Sequence, residues 1–422
     1  MGFQHGLSGL SAASTNLDVI GNNVANVNTA GFKQSQAQFT DIFANSLGGS
    51  GSSQVGIGAR VSTIAQSFTQ GNISPTSNPL DIAINGQGFY RMDEGGVISY
   101  SRNGQFHADG NGFLTNANGA NLTGYTADVN GNIDASKPTS LKLTTSDLTP
   151  QATSIFELGV NLDSGVTPPT SGTPPVLLPF NATDLKTFNW QTSGKIVDSL
   201  GNEHRLATYF QKSDANKWNV YAAIDGKVDV NGAPQGVTLS SQALEFDGTG
   251  ALISPTAPIS VSVDWATIDS TLGADSPMDF SFDLTTVTQY GSDSGINSIF
   301  QDGFTSGRLA GFTTAADGVI QGSYTNGQTR TLGQIVLANF VNPQGLNPIG
   351  DGRWVETPNS GQPVVGPPKT GTLGALQASA VEDANVDLTT ELVKMITAQR
   401  MYQANAKSIE TQDAVLQTLV NL

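Results

Sequence analysis

His5, His107 and His204 are the only imidazoles among 422 residues, and they stand too far apart for the paired ligands with which a metalloprotease helix holds zinc. No Gly-Lys-Ser/Thr phosphate loop and no Gly-x-Ser-x-Gly nucleophile turn occurs. Cys is absent, which removes thiol catalysis, disulfides and thiolate metal sites. A carboxylate pair drawn from the 35 Asp and Glu residues would leave no linear motif and could hydrolyse a sugar. Asp/Asn/Gly clusters such as Asp109 to Gly112 suggest a rival: an extracellular calcium-binding or adhesive β-protein. No nonapeptide repeat accompanies them, and turn chemistry explains them without an ion. The expectation is no enzyme, no cofactor, and neither a catalytic nor a metal site.

A net charge of -16 repels phosphate backbones and anionic lipid surfaces, so nucleic acid and membranes are not expected partners. The longest apolar stretch, Ile335 to Val341, is far shorter than the roughly 20 residues a membrane helix needs. The first Lys or Arg is Lys33, and Met1 to Val27 alternates apolar with polar residues, unlike a cleavable leader. An extracellular location would then require export by a route other than general secretion.

With chemistry so sparse, the elements carry the information. Phe3, Leu10, Leu17 and Val24 recur every seven residues, Ala13, Ile20 and Val27 follow three later, and Leu7 adds to the stripe, predicting an amphipathic helix over 1–27. Its other face carries Ser14, Thr15, Asn16, Asn22 and Asn23 with Asp18 as the only carboxylate. Such a face suits protein surfaces or a water-filled bore better than open solvent. No Gly or Pro occurs from Leu376 to Leu422, where Leu388, Met395, Tyr402, Ile409 and Leu416 repeat at seven and Leu392 and Leu419 widen the stripe, predicting a long helix. Asp387 is placed to cap it.

Two core helices of one globular domain would show the same periodicity. Burial of a large apolar side chain is worth about 2 kcal/mol, ordering costs about 1.5 kcal/mol per residue, and so sparse a stripe needs more neighbours than one partner helix supplies.

Over the whole chain Gly numbers 48 and charged residues only 13%, a composition that between the end helices favours turns and short strands. Asn85-Gly86, Asn103-Gly104, Asp109-Gly110, Asn111-Gly112, Asn118-Gly119 and Asn130-Gly131 predict two-residue hairpin turns and a β-meander over Ile98 to Tyr125. Asp302-Gly303, Asp317-Gly318 and Asn326-Gly327 repeat the pattern. Gly48 to Ser53, Thr167 to Pro179 and Val364 to Gly374 read as seams. Strand-like runs at Gly236 to Leu239 and Ile259 to Val263, with Trp190, Trp218 and Trp265 as core anchors, mark an insert.

The expected fold is mainly β with α-helical termini in nested, discontinuous domains. Residues 1–32 plus 376–422 form a coiled-coil-like helical polymerisation domain, and 33–80 a connector. Residues 81–149 plus 288–366 form an inner β-domain, 150–287 an inserted outer β-domain, and 367–375 a linker.

The run Leu17 to Asn26, with Asn22, Asn23 and Asn26, continued by Asn28, Thr29, Ala30, Gly31, Phe32 and Lys33, resembles the N-terminal signature of the flagellar rod and hook family. Asn385 to Val393, Gln399-Arg400, Tyr402 to Asn405 and Leu419 to Leu422 resemble that family's C-terminal helix. Leu80 to Phe89 and Tyr100 to Phe106 are similar to the first half of its inner β-domain, and Leu332 to Phe340 to the second half in hook subunits. Ala384 departs from the family, standing where a Ser commonly precedes Asn385.

The resemblance implies a hook subunit, exported unfolded by the flagellum's own secretion apparatus, that self-assembles into a flexible tube transmitting torque from rod to filament. Implied partners are copies of itself, the distal rod protein, the hook cap protein, the hook-filament junction protein and the export apparatus. Distal rod and junction relatives are the alternatives inside the family. Rod relatives are much shorter and lack a large insert.

Overall fold

A computed structural model of the chain describes residues 2–42, 56, 58–128, 131–143, 146–227, 235–237 and 242–420, with side chains over 3–418 in the two end helices. Gly48 to Ser53, Asn130, Leu239 and the side chain of Leu419 lie outside the described residues. The chain forms two compact units, Met1–Thr145 with Ala310–Ser323 and Thr329–Leu422, and Ser146–Leu309 with Tyr324–Gln328.

The first unit begins with helix α1 (Gly2–Ala25), followed by strands β1 (Ser35–Ile42), β2 (Gly58–Gln66), β3 (Ile73–Pro75), β4 (Ile82–Asn85), β5 (Phe89–Glu94) and β6 (Val97–Ser101). The stretch 33–80, expected as a connector, therefore holds an antiparallel β1–β2 pair running from Ser35 opposite Gln66 to Ile42 opposite Gly58. The main sheet runs Leu309–Thr314, Val319–Tyr324, Thr329–Ile335, Asn121–Thr126, β5, β6, Arg353–Val355, Asn347–Gly350. It thus joins an early and a late stretch of the sequence. Ile82, Ile84, Tyr90, Met92, Leu122, Ile335 and Leu337 fill its core, and Phe89, Tyr100, Phe340 and Trp354 a second cluster.

The Gly- and Pro-free run from Leu376 is not helical throughout. Ala375–Ala378 pairs with β4 and Ala380–Glu382 with β3, and helix begins only at Leu388. Leu376 and Ala380 are buried in the β-core, so tertiary pairing overrides helix propensity there. Ser379, at φ 52°, breaks the strand between them.

The Asx-Gly pairs also behave differently from expectation. Gly112, Gly119, Gly131 and Gly327 have positive φ, but Asn111, Asn118 and Asn326 do not, so the two-residue type I′ turn is not formed. At Gly112, Gly119 and Gly131 the unit is Asx-x-x-Gly, whereas Tyr324 opens the loop that Gly327 closes. Asp109 N donates to Phe113 O at 2.9 Å and Gly112 N to Asp109 O at 3.0 Å. Asp109 Oδ1 accepts from the amides of Asn111 and Phe113. Asn116, Asp198 and Asp247 repeat the arrangement with Gly119, Gly201 and Gly250. It is a three-residue loop in which only the glycine is left-handed, and the side-chain oxygen of its opening Asp or Asn accepts from backbone amides.

The second unit packs two five-stranded sheets. One has the order Ile259–Val263, Met278–Asp283, Ile155–Asp163, Thr288–Tyr290, with Gly295–Gln301 on the other side of Ile155–Asp163. The other runs Trp190–Val197, Glu203–Asp214, Lys217–Ile224, Gln242–Phe246, Leu252–Ser254. Trp218 and Trp265, the latter in the short helix α2 (Trp265–Ile268), lie fully inside this core, with Trp190 packed at its margin. Thr288–Tyr290 and Gly295–Gln301 pair here with Ile155–Asp163, so the unit runs beyond residue 287, where the sequence pattern ends the insert.

Helix α3 (Leu388–Val420) closes the chain. Asp387 caps it as the sequence predicts, with Oδ1 accepting from Thr390 N at 2.6 Å. Hydrogen bonds from Thr390 hold the Asp387 carboxyl below the usual carboxylate range.

Candidate polymerisation site

The chain leaves α1 through a tight turn in which Thr29 N donates to Asn26 O, Phe32 N to Thr29 O, and Asn26 Nδ2 back to Asn22 O. Gly31 is at φ 70°, its amide donates to Glu382 O at 2.7 Å, and a Cβ there would lie 2.5 Å from Asn103 N, so no other residue fits. Lys33 then turns inward and is almost fully buried.

Its partner is Glu382, also buried. Glu382 Oε1 accepts from Lys33 Nζ at 2.6 Å and from Gly71 N at 2.9 Å, while Oε2 faces Arg102 Nε at 2.8 Å and Nη2 at 2.7 Å. Lys33 Nζ also reaches Thr69 O, and Arg102 Nη1 reaches Gly86 O and Gly88 O. Burial pushes the Lys33 ammonium below its ordinary range, Glu382 pulls it back and Arg102 lowers it further. Two cations thus share one carboxylate out of water, at the point where residues 33, 71, 102 and 382 converge.

A second carboxylate sits above it. Glu391, in the first turn of α3 and buried, accepts from Asn23 Nδ2 of α1 at 3.1 Å, Gln34 Nε2 at 2.7 Å and Lys394 Nζ at 2.7 Å. Asn23 also brackets Ser35, accepting from its amide and donating to its carbonyl. Asn385 bridges the levels, taking Gln34 N and giving to Ser67 O and Thr69 O.

Beyond this joint the helices lie against each other along small residues. A Cβ at Gly6 would meet Ile409 Cγ1 at 2.7 Å, and one at Gly9 would meet Asn405 Oδ1 at 2.6 Å; Ala13 is buried further along. His5 Nε2 contacts Gly56 O. A groove of about 400 Å³ between α1, β1 and α3 is lined by Val19, Ile20, Phe39, Glu391, Ala398 and Met401 among others.

The predicted apolar stripe is largely uncovered. Ile20, at 3% exposure, and the small Ala13 are buried. Leu10, Leu17, Val24, Val27, Met395 and Ile409 are half-buried, and Phe3, Leu7, Leu388, Leu392, Tyr402 and Leu416 are exposed. Among the described side chains of α3 only Glu391 and Ala398 are buried.

Sequence comparison gives the context. The profile "Flagella basal body rod protein" matches residues 3–33, "Flagellar hook protein FlgE/F/G D1 domain" residues 83–160, "Flagellar basal body protein FlaE D2 domain" residues 161–304 and "Flagellar basal body rod FlgEFG protein C-terminal" residues 377–422. The flagellar hook protein FlgE of Escherichia coli K12 is 38% identical across 100% of both chains. The chain belongs to the flagellar hook protein family. The hook proteins of Salmonella typhimurium LT2 and Borreliella burgdorferi are 39% and 33% identical, over 100% and 99% of this chain and 100% and 98% of theirs. The crystal structure of Helicobacter pylori flagellar hook protein FlgE2 shares the fold at TM-score 0.51 and 15% identity, over 74% of this chain and 99% of that one. As a hook protein the chain is a structural subunit, not an enzyme, and belongs to the flagellar hook.

The hook-family signature maps onto the joint. Asn23, Gly31 and Lys33 make the contacts above; Asn22, Asn26, Thr29 and Phe32 line a pocket of about 420 Å³ with Arg353 and Trp354. The sequence pattern does not single out Arg102, Glu382 or Glu391.

Proposed function

We propose that this hook protein assembles with copies of itself through the uncovered stripes of α1 and α3, carried by Phe3, Leu7, Leu10, Leu17, Ile20, Val24 and Val27 and by Leu388, Leu392, Met395, Tyr402, Ile409, Leu416 and Leu419. The observation that carries this is the exposure of those side chains in the single chain, where one of the thirteen described is buried. Large apolar groups left half in water on two adjacent helices gain most by meeting identical helices, because contiguous exposed apolar surface marks an association site. The helices form the inner wall of a tube. The tube acts as a flexible joint passing torque from rod to filament. The distal rod protein, hook cap protein, hook-filament junction protein and flagellar export apparatus are its remaining partners.

The test is polymerisation of the full chain beside a chain lacking 1–30 and 388–422. The shortened chain is expected to keep cooperative unfolding of its β-core and form no polymer. Polymer of undiminished length from it would refute the assignment. Limited proteolysis of the monomer should trim the C-terminal end only to about residue 386, because Ala375–Ala378 and Ala380–Glu382 are paired strands.

A further inference from the structure

All passages of the chain between the helix pair and the β-core run through two buried carboxylates. Lys33, just past α1, and Gly71, just past the β1–β2 pair, both bond Glu382, which itself lies a few residues ahead of α3. Asn23 near the end of α1 and Gln34 at the start of β1 both bond Glu391. Asn385 stitches Gln34 to Ser67 and Thr69 between them.

Apolar packing at the joint is confined to a few residues, Val19, Ile20, Ala37, Ala384 and Ala398. In the first two turns of α3, Leu388, Leu392 and Val393 are exposed while Glu391 is at 1% exposure. Apolar contacts are non-directional and let a helix slide, whereas charge-assisted hydrogen bonds fix donor and acceptor to within a few tenths of an ångström. The direction in which the helix pair leaves the β-core is therefore set by polar contacts to these carboxylates. A lever of 33 residues in α3 amplifies any change at its base, since a helix extends about 1.5 Å per residue.

We infer that Glu391, seated above Glu382, is a positioning residue for assembly: it fixes the helix direction each copy presents to its neighbours, and so sets the twist and curvature of the polymer. This rests on assembly through the terminal helices. Asn23 holds the same contact from the other side, so removing either partner shifts the helix in the same sense. Glu382 anchors the base against Lys33 and Arg102.

The experiment compares polymers of full-length wild type, Glu391→Gln, Asn23→Ala and Glu382→Gln by electron cryomicroscopy, with monomer unfolding measured alongside. Glu391→Gln and Asn23→Ala monomers are expected to fold and polymerise to within about twofold of wild type, with helical twist changed and curvature no longer uniform. The double variant should match the more severe single one. Wild-type twist and curvature in both single variants, at whatever yield, would overturn the proposal, as would a folded Glu391→Gln monomer that makes no polymer. Should Glu382→Gln fail to fold, the other two variants still decide. Wild type that makes no polymer would instead sink the assembly reading beneath.

Discussion

At the scale of single residues the joint is an unequal contest of charges. Glu382 alone balances Lys33 and Arg102, and all three are buried. Removing one member of a buried ion cluster leaves the others uncompensated, which costs about 3–5 kcal/mol. Glu382→Gln is therefore expected to lower the stability of the first unit by that amount in urea unfolding; a loss below about 1 kcal/mol would mean water reaches the site. Lys33 gives a pH signature. Its folded value lies below the ordinary 10.5. Between the two the unfolded chain binds more protons, so this group makes stability rise with pH across that window. Tyr90 and Tyr100, both pushed up by burial, act in the opposite sense once unfolded tyrosines ionise near 10. The comparison that isolates Lys33 is wild type against Lys33→Met from pH 8 to 10.5. The variant should lack the rising component, and parallel curves would exclude it.

At the scale of elements, the sequence revealed what is periodic and concealed what is relational. Both helices and the Asp387 cap were legible because seven-residue spacing and a capping carboxylate are local signals. The strand pair Ala375–Ala378 and Ala380–Glu382 was hidden, since its reason is pairing with β4 and β3 some 300 residues earlier. Thr288–Tyr290 and Gly295–Gln301 were hidden likewise, as nothing local in them names Ile155–Asp163 as partner. The contact between the two helices was hidden for a different reason. Large apolar residues draw attention, yet within one chain α1 approaches α3 closely at Gly6 and Gly9, where the absence of a side chain is the signal. Gly9→Leu should force the helices apart against Asn405 and Ile409, reducing polymer formation while the unfolding transition of the β-core stays unchanged. Normal assembly of that variant would show that the helices do not approach this closely in the polymer.

At the scale of the whole molecule, assembly must overcome charge. Each copy carries -16, with only 19 Lys and Arg against 35 Asp and Glu, so neighbours repel wherever the uncovered helix faces do not meet. The exposed stripe residues named above are uncharged, and the buried charges of the joint are paired within the chain, so the attractive surface offers no Coulomb gain to offset that repulsion. Screening then decides the balance. The Debye length falls from about 30 Å at 0.01 M salt to about 8 Å at 0.15 M, which screens repulsion between exposed charges, while apolar burial is not weakened. The critical concentration for polymerisation is expected to fall at least several-fold across that range and to change little beyond it, read by sedimentation of polymer against monomer. A critical concentration that rises with salt would mean that ion pairs between copies, and not the apolar faces of α1 and α3, hold the tube together.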